Sequence, residues 1–244
     1  MSPNSAGVFA AHTHLITTDI SASTAFWSAI GGDEAQIGSM KGVRMPGLYI
    51  LFQMKRAGSP IPESSVGSTV EAIGIEVKNL KDTLAKLKAL GVTPQTDATT
   101  HMIAVMSPER VKVLLAEDPS LATPCKTSEW LMKVPNPAEA AAWYQKWFGA
   151  SITKESNGII AQVPGMNLHF VQTTAPVAGT HGRALDHIGF DVTDLPALVT
   201  KMQAEAVTVS TPYRTIHAGF LTGLAFVTDP RGTYIELNQG YDGH

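Results

Sequence analysis

The sequence predicts an α+β protein made of four βαβββ units, which pair into two domains with curved, barrel-like mixed sheets. The first observation is that a short alternating segment ending in Asp or Asn occurs four times in the 244 residues. The second is that a helical pattern and then several strand-like segments follow each occurrence. These Asp and Asn residues are 57 to 60 positions apart, so four units of similar length fill the chain: Asp19, Asn79, Asn136 and Asp194.

Each unit begins with a strand and a helix. Asp or Asn directly before a helical pattern is typical of an N-cap, because the side chain accepts hydrogen bonds from the first free N–H groups of the helix. Apolar residues then recur at helical spacing, as in Leu80, Leu84 and Leu87, and indicate the buried face. Glycine is expected to end three helices, and alanine the fourth: Gly31, Gly91, Gly149 and Ala206.

Three strands are expected after each helix. A turn containing proline interrupts the strand-like segments of every unit, because proline presets the backbone angle of the second turn position. These turns lie at Pro46, Pro108, Pro164 and Pro230. The resulting order is strand, helix and three strands in each unit.

A single unit would leave one face of its sheet bare, so the units are expected to pair around a cavity. Consecutive units are expected to be partners, which gives an N-terminal domain of residues 1–120 and a C-terminal domain of residues 121–244. The boundary is predicted near residues 118–126, where prolines and small polar residues interrupt the pattern. The N-terminal pair is expected to lack a metal and the C-terminal pair to carry one.

Composition excludes several classes of function. The net charge is −3, and Lys and Arg do not cluster, which argues against a nucleic-acid partner. No apolar segment approaches the roughly 20 residues that cross a bilayer, so no membrane partner is expected. The single cysteine, Cys125, excludes an internal disulfide. The N-terminus lacks a signal-peptide pattern, which indicates a cytoplasmic protein, or an exported one if a signal peptide has been removed.

Strand alternation separates core residues from cavity residues, and the same cavity positions can be counted in every unit. In the first strands they hold His12, Ala72, Glu129 and His187. In the last strands they hold Leu51, Leu114, His169 and Glu236. The C-terminal half thus offers four side chains that can bind a divalent cation, and we predict a metal site there: Glu129, His169, His187 and Glu236.

Two further features bear on the site. His12 and His14 are interpreted as structural, because their other positional partners are apolar. The fourth unit is also longer than the others, and residues 211–223 account for the excess. This segment is expected to be a loop, and either a lid or substrate clamp or a surface loop remains open. It contains Tyr213, Arg214 and His217.

Residues 185–195 (LDHIGFDVTDL) and 226–237 (FVTDPRGTYIEL) resemble the vicinal oxygen chelate superfamily, which includes glyoxalase, bleomycin-resistance proteins and extradiol dioxygenases. The resemblance implies paired βαβββ modules around one divalent metal ion that binds two vicinal oxygens of a substrate. The order of ligands departs from the His, Glu, His, Glu of bacterial glyoxalases. Extradiol dioxygenases would have His at Glu129 and Tyr at Phe226, which disfavours ring cleavage.

The function implied is a metal-dependent lyase or isomerase of the glyoxalase type, acting on a small substrate through an enolate-type intermediate. The metal would be Zn, Ni, Fe, Mn or Co. Expected catalytic residues are Glu236, Glu129 and His217, and expected substrate-binding residues are Tyr213, Arg214 and Tyr234. An extradiol-type dioxygenase and a non-catalytic small-molecule binding protein remain alternatives. The protein is expected to be a monomer or homodimer.

Overall fold

The computed structural model describes residues 2–97, 100 and 102–241. The first unit comprises β1 (Val8–Thr17), α1 (Ile20–Ile30), β2 (Asp33–Ile37), β3 (Met40–Met45) and β4 (Leu48–Met54). The second comprises β5 (Val70–Val77), α2 (Leu80–Ala89), β6 (Gln95–Thr96), β7 (Ile103–Met106) and β8 (Lys112–Glu117). The third comprises β9 (Cys125–Val134), α3 (Pro137–Phe148), β10 (Ser151–Glu155), β11 (Gly158–Val163) and β12 (Met166–Gln172). The fourth comprises β13 (Leu185–Val192), α4 (Leu195–Ala204), β14 (Thr208–Ala218), β15 (Leu221–Thr228) and β16 (Tyr234–Gln239). The predicted βαβββ order is therefore confirmed in all four units.

The four recurring Asp and Asn residues are helix N-caps, as predicted. The Asp19 carboxylate accepts hydrogen bonds from two backbone N–H groups of the first turn of α1, at 2.9 and 3.0 Å. Asn79, Asn136 and Asp194 each accept one from the residue three positions further on. Such caps contribute about 1 kcal/mol each and fix where the helices begin. None of the helices in the described part of the chain is long and apolar enough to cross a membrane.

The strands form two eight-stranded mixed sheets that are curved rather than closed into barrels. The first sheet has the order β14-β15-β16-β13-β1-β4-β3-β2, and the second has the order β10-β11-β12-β9-β5-β8-β7-β6. Antiparallel pairs of first strands, β1 with β13 and β5 with β9, join the units at the centre of each sheet. The first unit therefore pairs with the fourth, and the second pairs with the third.

This pairing differs from the expected pairing of consecutive units. Residues 118–124, which lie in the expected domain boundary, connect β8 to β9 inside the second sheet. The expected domains, residues 1–120 and 121–244, consequently coincide with neither sheet. The repeat period could not reveal this, because the central pairing of the first sheet joins residues as distant as His14 and His187, which are 173 positions apart.

The helix-facing side of both sheets forms one apolar core. Ile188, Phe190 and Val192 of β13 belong to it, as the alternation predicted. The core continues from one sheet to the other, because the ring of Trp130 in β9 packs against the ring of Phe190 in β13, with centroids 5.7 Å apart. The indole N–H of Trp130 also donates a hydrogen bond to Thr13 Oγ1 in β1, at 2.9 Å. The concave face of each sheet, opposite the helices, is not part of this core and can carry a functional site.

Residues 211–223 are not a loop but the end of the β14–β15 hairpin. The added length brings the tip of this hairpin to the tip of the β2–β3 hairpin at the other edge of the first sheet. Their backbones meet so closely that a Cβ on Gly219 would lie 2.9 Å from the Gly38 nitrogen. The insertion thus joins the two edges of the curved sheet, whereas a mobile lid was one of the expected roles.

The end of α4 offers a test of backbone strain. Ala206 has a φ of 58° two residues after the end of α4, at the position where α2 has Gly91 with a φ of 78°, and an L-residue in this left-handed region costs about 1 kcal/mol. We expect Ala206→Gly to raise the free energy of unfolding by about 0.5 kcal/mol, after the larger entropy of the unfolded glycine chain is subtracted. The matched control is Ala142→Gly on the exposed side of α3, which should lower it by about 1 kcal/mol. Urea denaturation measures both, and destabilisation by both changes would contradict the expectation.

Candidate metal centre

The central strands of the first sheet bring three histidines to its concave face. His14 lies opposite His187 in the β1–β13 ladder, and the register skips one residue in each strand, Ala11 in β1 and Asp186 in β13. A β-bulge of this kind shifts the alternation of side chains by one position. After the bulge at Ala11, His12 and His14 point away from the helix-facing core.

The neighbouring strands contribute one acidic and one apolar side chain. In β16, Glu236 lies opposite Gly189 of β13. In β4, on the other side of β1, Leu51 lies opposite His14. Leu51 occupies the position that holds His169 and Glu236 in the third and fourth units, and it cannot bind a cation. His14 lies directly beside it and supplies the fourth ligand-competent group.

The four side chains form one compact cluster, and their ligand atoms all lie within 4.8 Å of one another: His12, His14, His187 and Glu236. His187 Nε2 is 2.6 Å from His14 Nδ1 and 2.7 Å from Glu236 Oε2. Glu236 Oε2 is also 3.4 Å from His12 Nε2 and 3.6 Å from His14 Nδ1. All four residues are buried, with exposed fractions of 1 to 7%.

A second layer of hydrogen bonds orients the cluster. Asp186 Oδ1 accepts a hydrogen bond from His187 Nδ1 at 2.6 Å, which directs Nε2 toward the other ligand atoms. The bulge at Asp186 makes this contact possible, because adjacent residues of a regular strand point to opposite faces. The side-chain amide of Asn238 donates to Glu236 Oε1 at 2.9 Å and holds the carboxylate.

Gly189 makes room for His12. The ring of His12 lies across the backbone of β13, and a Cβ on Gly189 would overlap three of its ring atoms. Glycine is therefore required here because the imidazole approaches the neighbouring strand so closely.

The cluster favours one positive charge among its ligand atoms. Burial lowers the pKa of His14 to about 4, and the charge of His187 adds to this effect. Burial by itself would also lower the pKa of His187, but the hydrogen bonds with Asp186 and Glu236 outweigh it and raise that pKa to about 9. Burial opposes ionisation of Glu236, yet the surrounding histidines hold its pKa well below the usual range. A proton on His187 Nε2 thus lies where a metal ion would replace it.

The two sides of the cluster differ. On one side the ring of Tyr241 stacks on His12, with centroids 5.6 Å apart. This tyrosine belongs to an apolar cluster on the same face of the sheet: Phe9, Ala11, Ile37, Leu51, Leu221 and Tyr241. On the other side, Phe226 and Tyr234 stack on each other at 4.8 Å and both contact the ring of His187 edge-on.

The donor set fits a divalent metal ion. Three imidazole nitrogens and a carboxylate oxygen suit Zn, Ni, Fe, Mn or Co. Neither ring nitrogen of His12 has a hydrogen-bond partner among the described residues, although both are buried. Buried polar atoms of this kind need a partner, and a cation bound to Nε2 would provide it. His12, His14, His187 and Glu236 are therefore the residues that would hold the metal.

The predicted quartet is not brought together. His187 and Glu236 belong to the cluster, but Glu129 and His169 lie in the second sheet, where His169 Nδ1 and Glu129 Oε2 are 3.0 Å apart. The reason is the pairing of the units, which places the first strand of the first unit, and not of the third, beside β13. The difference from the expected quartet therefore lies in which strands share a sheet.

The second sheet repeats the same register, but its described residues form no cluster that could hold a metal ion. Glu129 lies opposite Gly74 there, as His12 lies opposite Gly189. The positions that correspond to His14, His187 and Glu236 hold three buried apolar residues: Leu131, Ala72 and Leu114. Two sheets of one architecture thus present one polar and one largely apolar concave face.

The residues expected from the insertion also lie elsewhere. Tyr213 packs against the helix-facing core. Arg214 and His217 are exposed on the edge strand β14, and His217 alternates with Ile216 and Ala218, which face the apolar cluster on the concave side. They are therefore not brought to the ligand atoms, because the segment is a strand and not a loop that folds over the site. Tyr234, by contrast, contacts His187, with ring centroids 5.8 Å apart.

His12 and His14 belong to the cluster, although the sequence favours a structural role for them. A signal for them was present: His12 occupies the counted cavity position, and His14 follows two residues later in the same strand, on the same face. If consecutive units paired, their partners would be the apolar positions of the second unit. Pairing with the fourth unit supplies His187 and Glu236 instead.

Residues 130–237 match the model of the Glyoxalase/Bleomycin resistance protein/Dioxygenase superfamily. The matched segment covers less than half of the chain, and together with the fold it makes the chain similar to the vicinal oxygen chelate superfamily. No curated protein sequence matches the chain.

Several solved structures share the fold over nearly the whole chain. Glyoxalase I from Zea mays is 11% identical with a TM-score of 0.76, and the match covers 95% of this chain and 92% of that one. A Bacillus subtilis protein provisionally assigned as a dioxygenase is 13% identical with a TM-score of 0.71, covering 96% and 87%. The cppA protein from Streptococcus pneumoniae is 12% identical with a TM-score of 0.51, covering 93% and 96%. At these identities the likeness shows the fold alone.

The close approach at Gly189 leads to a matched test. We expect Gly189→Ala to displace the His12 ring and to weaken binding of a divalent metal at least about tenfold, as loss of an oriented ligand does. Gly74→Ala, at the corresponding position of the second sheet, crowds Glu129 and should leave metal affinity unchanged. Calorimetric titration with Zn²⁺ measures both affinities. Equal weakening by the two changes would mean that Gly189 acts on folding and not on His12.

Proposed function

We propose that the protein is a metal-dependent lyase or isomerase of the glyoxalase type, which acts on a small substrate with vicinal oxygens through an enolate-type intermediate. The observation that carries this proposal is the convergence of four buried ligand-competent side chains on one point, with both nitrogens of His12 lacking a hydrogen-bond partner in the described structure. A bound divalent ion would supply Lewis-acid polarisation of the substrate oxygens.

The residues of the chain would divide the remaining work. The three histidines and Glu236 would hold the ion, and Asp186 would keep His187 in the tautomer that presents Nε2. Glu236 is the carboxylate among the clustered ligand atoms, so it is the group placed to accept a proton from a substrate carbon beside a polarised carbonyl and to return it to the neighbouring carbon. Asn238 holds the other oxygen of that carboxylate during the transfer.

The surroundings support a reaction that excludes water. The stacked Tyr241 and the apolar cluster close one side of the site, and Phe226 with Tyr234 flank His187. A largely apolar enclosure strengthens the electrostatic effect of the charged groups on a developing anion.

Extradiol-type ring cleavage is a second candidate, and a specific observation favours it. His12, His187 and Glu236 form a set of two histidines and one carboxylate, which non-haem iron oxygenases use. Against it, the side chain beside His187 at position 226 is phenylalanine, with ring centroids 5.3 Å apart. Phenylalanine can neither donate nor accept a proton there.

Metal content tests the assignment of ligands. We expect the protein as isolated to carry about one divalent ion per chain, and His187→Ala and Glu236→Gln to lose most of it, because each removes a ligand and leaves buried polar groups unpaired. Glu129→Gln and His169→Ala are the matched controls in the second sheet and should keep the metal. Elemental analysis by mass spectrometry measures all five proteins. Loss of metal in the second-sheet variants instead would support the quartet expected from sequence.

Turnover tests the class of reaction. We expect the metal-loaded protein in D₂O to convert the hemithioacetals that 2-oxoaldehydes form with small thiols. Part of the product should contain deuterium from the solvent, because Glu236 can exchange the proton it has accepted before it returns it to the substrate. NMR detects both results. Oxygen uptake with catechols, restricted to the iron-loaded protein, would favour the dioxygenase. Tight ligand binding that survives chelation, without turnover, would indicate a binding protein.

A further inference from the structure

A cavity of about 460 Å³ adjoins the candidate metal centre on one side. Ile16 in its wall follows His14 on the same face of β1, and Gln53 follows Leu51 on the same face of β4. Asp186, which hydrogen-bonds His187, also lines it. The cavity is therefore a continuation of the concave face that carries the ligand atoms, and its volume is typical of a small-molecule site.

The opposite side of the metal centre is blocked. Tyr241 stacks on His12 there and also contacts the rings of Tyr49 and Phe220. A substrate whose oxygens reach the ligand atoms would therefore extend its remaining part into the cavity beside Asp186.

Two basic residues that directly follow β4 also line this cavity, Lys55 and Arg56. The Lys55 ammonium donates hydrogen bonds to the carbonyl oxygens of Arg56 and Ser59, at 3.1 and 2.5 Å. An ammonium has three donors, so these bonds fix its position and leave one donor for a ligand. The acidic residues in the wall are Glu63 and Asp186, and the latter is already paired with His187.

The wall of the cavity is partly apolar. Met54 and Ile61 line the cavity with side chains that are 49% and 64% exposed, which is unusual for large apolar residues. Ile16 adds a further apolar surface. The cavity therefore combines an apolar surface with two basic groups beside the candidate cation site.

We propose that the substrate of the metal centre is a small molecule with vicinal oxygens at one end, a short apolar segment and a carboxylate at the other end, which Lys55 and Arg56 bind. This inference rests on the proposed function, because it takes the oxygen-bearing end to lie at the metal. Leu51 and Lys55 are four residues apart in an extended segment, so the two ends of the substrate are separated by up to about 13 Å.

Hydroxamates test the subsite, because they present two vicinal oxygens to a metal ion. The probes are acetohydroxamate, which has no tail, the monohydroxamates of succinate, adipate and suberate, and the methyl ester of the suberate compound. Calorimetric titration of the Zn²⁺-loaded full-length protein gives the affinities. We expect the longer carboxylates to bind at least about tenfold more tightly than acetohydroxamate and than the uncharged ester, since a charge-assisted hydrogen bond contributes about 1.5 kcal/mol or more.

Substitutions of Lys55 and Arg56 test whether these residues bind the carboxylate of the ligand. Arg56→Gln and Lys55→Gln should each remove most of the tenfold preference for the carboxylate over the ester, and leave acetohydroxamate binding unchanged. Arg56 is exposed, so its replacement keeps the test valid if the Lys55 variant disturbs the segment that its ammonium supports. Arg44→Gln is the matched control, because Arg44 lies on the blocked side, over the ring of Tyr49, and should preserve the preference.

The outcomes separate this proposal from the proposed function. If acetohydroxamate binds in a metal-dependent manner but the carboxylate tail adds nothing, the subsite is refuted and the metal chemistry stands. A preference that survives in both Lys55 and Arg56 variants, or that disappears in the Arg44 variant, also refutes it. Failure of every hydroxamate to bind the Zn²⁺-loaded protein would overturn both.

Discussion

The antiparallel pairing of β1 with β13 is the constraint on which the site depends. It joins the first and last quarters of the chain, places His14 opposite His187, and brings His12 over Gly189. The two β-bulges in this ladder also help to position the side chains of the site. One turns His12 and His14 to the concave face, and the other sets Asp186 beside His187. Without this pairing the four ligand-competent side chains would lie in separate parts of the protein.

Burial then determines the chemistry of the cluster. A carboxylate and three imidazoles in an apolar enclosure are costly unless positive charge compensates them. The pKa of His14 is lowered to about 4, and the pKa of His187 is raised to about 9. These opposite shifts favour one proton on His187, where several acceptor atoms lie close to it. A metal ion satisfies the same atoms more completely, since it also provides a partner for His12.

The two sheets have similar backbones, but their concave faces carry different side chains. Both sheets have the same strand order and the same register around a central glycine, Gly189 or Gly74. The concave face of the second sheet is nevertheless held by Ala72, Leu114 and Leu131. A few side chains at fixed positions therefore decide whether this architecture forms a cation site or an apolar contact, which agrees with the general separation of fold and function.

Sequence by itself determined the local structure: four strand–helix–three-strand units, the Asp and Asn caps, and which row of β13 faces the helices, because caps and alternation depend on residues close together in the chain. It also identified the cavity positions, including His187 and Glu236. Only the tertiary structure decided which units share a sheet, and hence that His12 and His14, and not Glu129 and His169, complete the cluster. The physical reason is that the pairing of strands more than 170 residues apart is set by packing of the whole molecule, which no local pattern records.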